Sequence, residues 1–159
     1  MKNAIQLVTL PLLATSLIAV SLSAVAQPAP KPEQFIKWRQ SAFQVIAWNN
    51  SRIKANVEGQ YNKEDVVKAA NTIAAIANGG LGSLFVVGTE TGRGWHETTV
   101  KPTLFATGSK VGDYATAFAR ESTELASLAV SSDQAHVKEQ FSKLSRTCKT
   151  CHDDYKVKD

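Results

Sequence analysis

Residues 133–156, with the sequence DQAHVKEQFSKLSRTCKTCHDDYK, decide the fold of this chain because a helical stripe and a cysteine motif coincide in them. Apolar residues recur there at alternating steps of four and three residues, which is the spacing of a helix packed in an antiparallel bundle. The stripe comprises Val137, Phe141, Leu144, Cys148, Cys151 and Tyr155. We therefore expect both cysteines to lie on the core face of this helix.

The segment Cys148-Lys149-Thr150-Cys151-His152 has the spacing C-x-x-C-H, which is the attachment signature of a c-type haem. Such a motif binds two haem vinyl groups through its thiols and the iron through its imidazole. Because positions i, i+3 and i+4 share one face of a helix, all three side chains can converge on one flat ring. The chain has only these two cysteines, so the motif predicts one covalent haem c.

Two other interpretations of the cysteine pair are weaker. A thioredoxin-like pair requires a βαβ context, which this helical sequence lacks. A structural zinc site requires four ligands, and Cys148, Cys151 and His152 leave the fourth missing. Haem attachment is therefore the preferred interpretation.

The N-terminal residues have the features of a secretory signal peptide, predicted over residues 1–26. Lys2 supplies a positive charge, residues 4–22 are mostly apolar, and AVA at 24–26 matches a small-x-small cleavage pattern. The alternative is a membrane anchor, because the apolar run is nearly long enough to span a bilayer. We favour cleavage because a proline-rich stretch follows. The mature chain is then one domain, residues 27–159, in the periplasm and without a membrane attachment.

The charge balance argues against nucleic acid as a partner. The formal net charge of the whole chain is +4, and removal of Lys2 with the signal peptide lowers it to +3. Positive and negative residues are mixed without long runs of one sign, so no basic surface is predicted.

The rest of the sequence has a helical period almost throughout. It predicts four helices, over residues 32–58, 62–78, 111–130 and 133–156, and hence an all-α fold, an antiparallel four-helix bundle with covalently bound haem. The residues expected to face inward from the first three helices are Phe35, Ala42, Phe43, Ile46, Ile53, Val57, Val66, Ala70, Ile73, Ala77, Val111, Tyr114, Ala115, Phe118, Leu125 and Leu128.

Local signals set the helix limits. Pro32 suits a first helical turn, Gly59 suits a helix end and Asn62 suits an N-cap.

Residues 79–110 hold seven of the nine glycines, which predicts an irregular connection. Residues 83–87 are apolar enough for a short strand but have no partner run. A connection this long is usually functional, and we expect it to wrap the haem edge.

The second axial position of the iron decides the class of haem protein. The only methionine is Met1, which cleavage of the signal peptide removes, so a methionine ligand is excluded. His136 shares a helix with His152 and cannot reach the other haem face. His96, in the irregular connection, is in principle able to do so, although a loop histidine is more often exposed to solvent. We therefore expect five-coordinate iron with an open or sterically guarded distal side.

A series of short motifs resembles the cytochromes c′ and covers residues 31–156. In chain order they are KPE at 31–33, WRQSA at 38–42, IKAN at 53–56, AAIAN at 74–78, GTE at 88–90, VKP at 100–102 and CKTCH at 148–152. Most other small cytochromes c carry the cysteine motif near the N-terminus. The resemblance implies a homodimeric periplasmic four-helix bundle with one high-spin, five-coordinate haem.

The resemblance also implies roles for individual residues. His152 is the proximal iron ligand, and Cys148 and Cys151 form the thioethers. Arg39 and Gln40 match residues that contact the haem and its propionates, and a guanidinium suits a carboxylate by its forked geometry. Thr98 and Thr99 lie where a loop residue often meets the haem. Without the resemblance, Arg39 reads as a solvated helix charge.

Phe43 and Lys156 are two further positions of interest. Phe43 lies one turn after Arg39, where the resemblance places the distal residue above the iron; the alternative is an ordinary core phenylalanine. A phenylalanine ring there offers no hydrogen bond and hinders a ligand that cannot displace it. Lys156 lies one turn after His152, where a lysine disfavours the protonated imidazole; the alternative is a solvated lysine at the helix end.

Three functions follow from this haem site. The first is binding of diatomic gases, chiefly nitric oxide, with carbon monoxide as a probe ligand. The second is electron transfer with a redox partner protein. The alternative to gas binding is a dedicated electron-transfer cytochrome with a six-coordinate haem. The third, a peroxidase-like enzyme, requires a distal acid–base pair, and Phe43 is neither an acid nor a base. We therefore expect a binding protein rather than an enzyme.

Overall fold

The structure, a computed structural model, describes residues 29–158. The predicted signal peptide, residues 1–26, and its cleavage site lie outside the described residues. Four helices make up the fold: α1 (Pro32–Glu58), α2 (Lys63–Asn78), α3 (Val111–Ser131) and α4 (Gln134–Tyr155). They confirm the four predicted helices to within one residue at every end. Two short 3₁₀ helices, Leu81–Leu84 and Pro102–Phe105, lie in the connection between α2 and α3.

The helix ends follow from side chains that satisfy unpaired backbone groups. Asn62 accepts a hydrogen bond from the backbone N of Asp65 at 3.1 Å, which confirms the predicted N-cap of α2. Asp133 caps α4 in the same way through the backbone N of His136 at 3.0 Å. The amide of Gln134 donates to the carbonyls at the end of α1, at 3.3–3.4 Å, and so joins the start of α4 to the end of α1.

The bundle has one loosely closed seam. Helices α1 and α2, α2 and α3, and α3 and α4 pack along each other, whereas α1 and α4 touch only sparingly. The turns between α1 and α2 and between α3 and α4 are short, so these neighbours are antiparallel. The seam between α1 and α4 therefore leaves room for a group that the helices do not fill.

The core runs along the bundle and reaches Leu144, one turn before Cys148 on α4. Its fully buried members include Ile53, Val66, Ile73, Leu125, Val137 and Leu144. Burying a side chain of this kind contributes about 1.5–3 kcal/mol. The apolar stripes predicted from the sequence therefore supply most of this core.

The inward face of α3 differs in part from the predicted one. Ala129 is fully buried one turn after Leu125, whereas Leu128, which was expected inward, is only half-buried. Ala115 is exposed, because the first turns of α3 line a cavity rather than the packed core. The sequence pattern does not distinguish a residue that faces a cavity from one that faces other side chains.

Helix α1 also carries an apolar stripe on its outer side. Trp38, Val45 and Trp48, at steps of seven and three residues, share one face and are 45%, 41% and 63% exposed.

No helix within residues 29–158 is both long and apolar enough to cross a membrane.

Candidate functional site

A cavity of about 530 Å³ lies where α1, α3, α4 and the long connection meet. Its volume is within the range of about 300–1,000 Å³ that is usual for ligand sites. The structure brings every residue singled out from the sequence to its wall: Arg39, Gln40, Phe43, Thr98, Thr99, Cys148, Cys151, His152 and Lys156. These residues come from two helices and one loop that are far apart in sequence, so the fold makes them one site.

Helix α4 supplies the cysteine wall. Cys148 and Cys151 are half-buried and form no disulfide with each other. Burial raises the pKa of both thiols, and the neighbouring Cys148 and Asp154 raise the pKa of Cys151 further. Both thiols are therefore uncharged at neutral pH, as an apolar wall requires.

The surroundings of His152 favour the neutral form of its imidazole. Burial lowers its pKa, the charge of Lys156 lowers it further, and Asp153 opposes both effects. Lys156 thus acts in the direction expected from the sequence. Because a metal ligand must be a neutral imidazole, this environment suits iron binding.

The end of α4 is tied to the connection that faces it. The backbone N of Val157 donates to the carbonyl of Thr99 at 2.7 Å, and the backbone N of Lys101 donates to the carbonyl of Tyr155 at 2.8 Å. Thr99 therefore reaches the cavity wall through its backbone link to the residues that follow His152.

Arg39 clamps the other side of the same connection. Its Nη1 donates to the carbonyl of Leu84 at 3.1 Å and to Thr89 Oγ1 at 3.0 Å. Its Nη2 donates to the carbonyl of Thr89 at 3.2 Å and to Thr98 Oγ1 at 3.1 Å. Arg39 is only 4% exposed, which excludes the alternative of a solvated helix charge.

Gln40 forms a second clamp on the connection. Its Oε1 accepts a hydrogen bond from the backbone N of Trp95 at 2.7 Å, and its Nε2 donates to the carbonyl of His96 at 2.9 Å. The approach is close: a Cβ on Gly94 would collide with Gln40 Oε1 and lie 2.9 Å from the backbone N of Lys37. Glycine is therefore needed at position 94.

The cavity wall fits a haem in polarity and in charge. Apolar side chains such as Ile46, Leu104 and Phe118 line much of it. Within residues 29–158, the buried guanidinium of Arg39 forms no ion pair with a carboxylate, and burial lowers its pKa while Glu90 partly offsets this. A buried cation without a paired anion favours an anionic group nearby. A flat apolar ring with carboxylates meets both conditions.

Phe43 and Phe85 meet at the part of the wall formed by α1 and the connection. Their ring centroids are 6.2 Å apart, with an angle of 65° between the ring planes. The guanidinium of Arg39 lies over the ring of Phe85, 5.0 Å from its centroid. Sequence reasoning singled out Phe43 but missed Phe85, because residues 79–110 have no period that marks an inward position.

A polar latch joins α3 to α4 beside the cavity. The hydroxyl of Tyr114 donates to Asp154 Oδ2 at 2.6 Å, and this bond, together with burial, raises the pKa of Tyr114 to about 12. The ring of Tyr155 lies 5.9 Å from that of Tyr114, and its hydroxyl accepts a hydrogen bond from the backbone N of Lys110 at 2.8 Å. The latch fixes the wall that carries Cys151.

A family model described as cytochrome c′ matches residues 34–156 of the chain. The chain belongs to the cytochrome c′ family. A cytochrome c′ of Rhodocyclus tenuis is 60% identical over 134 residues, which cover 84% of this chain and 100% of the relative. A cytochrome c′ of Allochromatium vinosum is 40% identical over 146 residues, which cover 92% and 90%. The resemblance predicted from the short motifs is thus confirmed.

Solved structures agree with this assignment. The cytochrome c′ of Thermochromatium tepidum is 38% identical, superposes with a TM-score of 0.78 and covers 82% of this chain, with 100% of its own chain matched. A ferrous variant of the Alcaligenes xylosoxidans cytochrome c′, with nitric oxide bound, is 25% identical, with a TM-score of 0.72 and coverage of 83% and 100%.

Membership in this family settles the fold and the cofactor. The four-helix bundle is the architecture of the cytochromes c′, and a cytochrome c′ is a c-type haem protein. The chain has a single cysteine pair for covalent attachment, at its C-terminal end, and hence one haem.

Proposed function

We propose that this cytochrome c′ is a periplasmic protein whose five-coordinate, high-spin iron binds nitric oxide and carbon monoxide. A haem held there would supply an iron that binds neutral diatomic molecules. His152 acts as the proximal ligand, Cys148 and Cys151 hold the haem through thioethers, and residues 1–26 serve as the export signal.

The wall formed by α1 and the connection is the observation that carries this proposal. Two phenylalanine rings, Phe43 and Phe85, pack together at the cavity wall, and neither side chain has an atom that can ligate iron. Methionine is absent from the part of the chain that the structure describes. The nitric oxide complex of the Alcaligenes xylosoxidans relative supports the same ligand class.

Arg39, Gln40, Thr98 and Thr99 have a shared role in this proposal. Arg39, through Thr98, and Gln40, through His96, hold the connection against α1, Thr99 ties it to the end of α4, and all four line the cavity. The charge of Arg39 favours the haem propionates on its side. Phe43 offers no hydrogen bond and would therefore give dioxygen no polar stabilisation, which does not favour stable oxygen carriage.

Optical spectra of the ferrous protein test the proposal. Addition of carbon monoxide or nitric oxide should shift the spectrum, because no protein ligand has to leave the iron first. A ferrous spectrum that neither gas changes would contradict gas binding.

Electron transfer by a six-coordinate haem is the second candidate, and one observation favours it. His96 lines the cavity, and its Nδ1 lies 2.8 Å from the carbonyl of Glu97, so the ring has a fixed place at the wall. Replacement His96→Ala distinguishes the two candidates. It should leave the spectrum unchanged if the haem is five-coordinate, and it should change a six-coordinate spectrum to a five-coordinate one. This second candidate function requires a redox partner protein.

Homodimer formation through α1 completes the proposal. A solved cytochrome c′ that is 40% identical, with a TM-score of 0.78 and coverage of 82% and 100%, is a dimer whose dissociation is controlled by ligand. In this chain the outer stripe of Trp38, Val45 and Trp48 gives α1 an exposed apolar face of the kind that subunit contacts bury.

A further inference from the structure

We propose that Phe85 sets the position of Phe43, so that the two rings together control access of gas to the iron. The inference rests on the proposed function, because it assumes an iron whose open side faces these rings. It assigns a positioning role to Phe85, a residue of the irregular connection.

The packing of the two rings is the first step of the argument. A centroid distance of 6.2 Å and an angle of 65° correspond to an edge-to-face pair, an arrangement that attracts beyond the area it buries. Both rings line the cavity and both are half-buried. Phe43 therefore has an aromatic neighbour on the side of the connection.

Phe85 is itself held by Arg39. The guanidinium of Arg39 lies over its ring at 5.0 Å, and Arg39 Nη1 also donates to the carbonyl of the preceding residue, Leu84. Arg39 and Phe43 are one turn apart on the same face of α1, and the ring of Phe85 contacts both. The ring of Phe85 is thus fixed against one turn of the helix.

This arrangement limits the movement of Phe43. A gas that needs the space of Phe43 must displace its ring, and Phe85 occupies the space on the side of the connection. Phe85 in turn cannot withdraw without separating from Arg39, whose four hydrogen bonds hold the connection. A smaller side chain at position 85 gives Phe43 room to move, and a larger one takes that room away.

The rate of carbon monoxide association with the ferrous haem protein tests the inference. Phe85→Leu should raise the rate by about threefold to tenfold, the size expected for loss of one aromatic pair. Phe85→Trp, which keeps an aromatic ring and adds volume, should lower it, so the test does not depend on how well the leucine variant folds. Val87→Ala is the control: Val87 is 77% exposed, belongs to the same segment and does not line the cavity. Parental rates in both Phe85 variants would overturn the inference.

A second readout does not depend on gas binding. If the rings hold each other, the loss of unfolding free energy in the double variant Phe43→Leu/Phe85→Leu should be smaller than the sum of the two single losses. Additive losses in urea unfolding would overturn the coupling of the two rings.

Failure of the inference is distinguishable from failure of the proposed function. A high-spin parent in which Phe43→Ala speeds binding while both Phe85 variants keep the parental rate overturns only the role of Phe85. The other outcome is a parent whose ferric haem is low-spin and whose ferrous haem binds carbon monoxide at a rate that does not depend on gas concentration. That outcome overturns the open axial position and the inference with it.

Discussion

At the scale of single residues, Arg39 shows how one side chain can serve both the fold and the site. It is buried on α1 and lines the cavity, and it donates four hydrogen bonds to residues of the connection that lie 45–59 positions later. Its charge has no carboxylate partner within residues 29–158, so the same residue fixes the loop and leaves the cavity positively charged. The propionate contact implied by the resemblance remains a prediction.

Phe43 gives the most direct residue-scale prediction. Phe43→Ala should raise the rate of carbon monoxide association well above that of the parent, because it removes the ring that we propose as the distal barrier. Flash photolysis of the carbon monoxide complex measures this rate. Phe35→Ala is a matched control, since Phe35 lies on the same helix, packs on Trp38 at 5.5 Å and does not line the cavity. Equal rates in the parent and the Phe43 variant would count against a gate.

At the scale of helices, the ion pair between α1 and α2 links stability to pH. Arg52 pairs with Asp65, and Asn56 Nδ2 donates to the same carboxylate at 3.0 Å. These contacts, with the Arg52 hydrogen bond the largest cause, lower the pKa of Asp65. A lowered pKa in the folded state means that the stabilisation is complete above the unfolded pKa of about 4 and is lost as the pH falls through the folded value.

Urea unfolding of the parent and of Asp65→Asn at several pH values tests this linkage. Near pH 7 the variant should be less stable than the parent, and the difference should shrink below about pH 4 as the parental carboxylate takes up a proton. Glu139→Gln is the comparison: the hydrogen bond from Lys143 also lowers the pKa of Glu139, but this pair lies one turn apart on α4 and joins no two helices, so its pH-dependent loss should be smaller than that of Asp65→Asn. A difference between parent and Asp65→Asn that stays constant down to pH 2 would show that Asp65 acts through something other than its charge.

The helices were predictable because their signals are local. Pro32, Gly59 and Asn62 mark helix ends within one turn, and the apolar period of residues 133–156 places both cysteines on one face. Phe85 was not predictable, because its partners Arg39 and Phe43 lie more than 40 positions earlier and residues 79–110 have no period. The exposure of Ala115 was missed for a related reason: the pattern marks the inward face but not the cavity.

At the scale of the whole molecule, the outer stripe of α1 predicts the assembly. Trp48→Glu should weaken the dimer by at least tenfold, because a carboxylate would have to be buried against apolar side chains of the second copy. Sedimentation equilibrium over a range of protein concentrations measures this. Val130→Glu is the control, since Val130 is 58% exposed on α3, away from the stripe. A parent that stays monomeric at every concentration, or a Trp48 variant that dimerises as well as the parent, would contradict an interface on α1.

We propose that the haem lies in the cavity at the loosely closed seam of the bundle, with His152 as its iron ligand and with Phe43 and Phe85 in the cavity wall. The electron paramagnetic resonance spectrum of the ferric mature protein at neutral pH tests this most directly. We predict a high-spin spectrum without a sixth ligand from the protein. A low-spin spectrum with two nitrogen ligands would contradict it, and would identify His96 as the residue to examine.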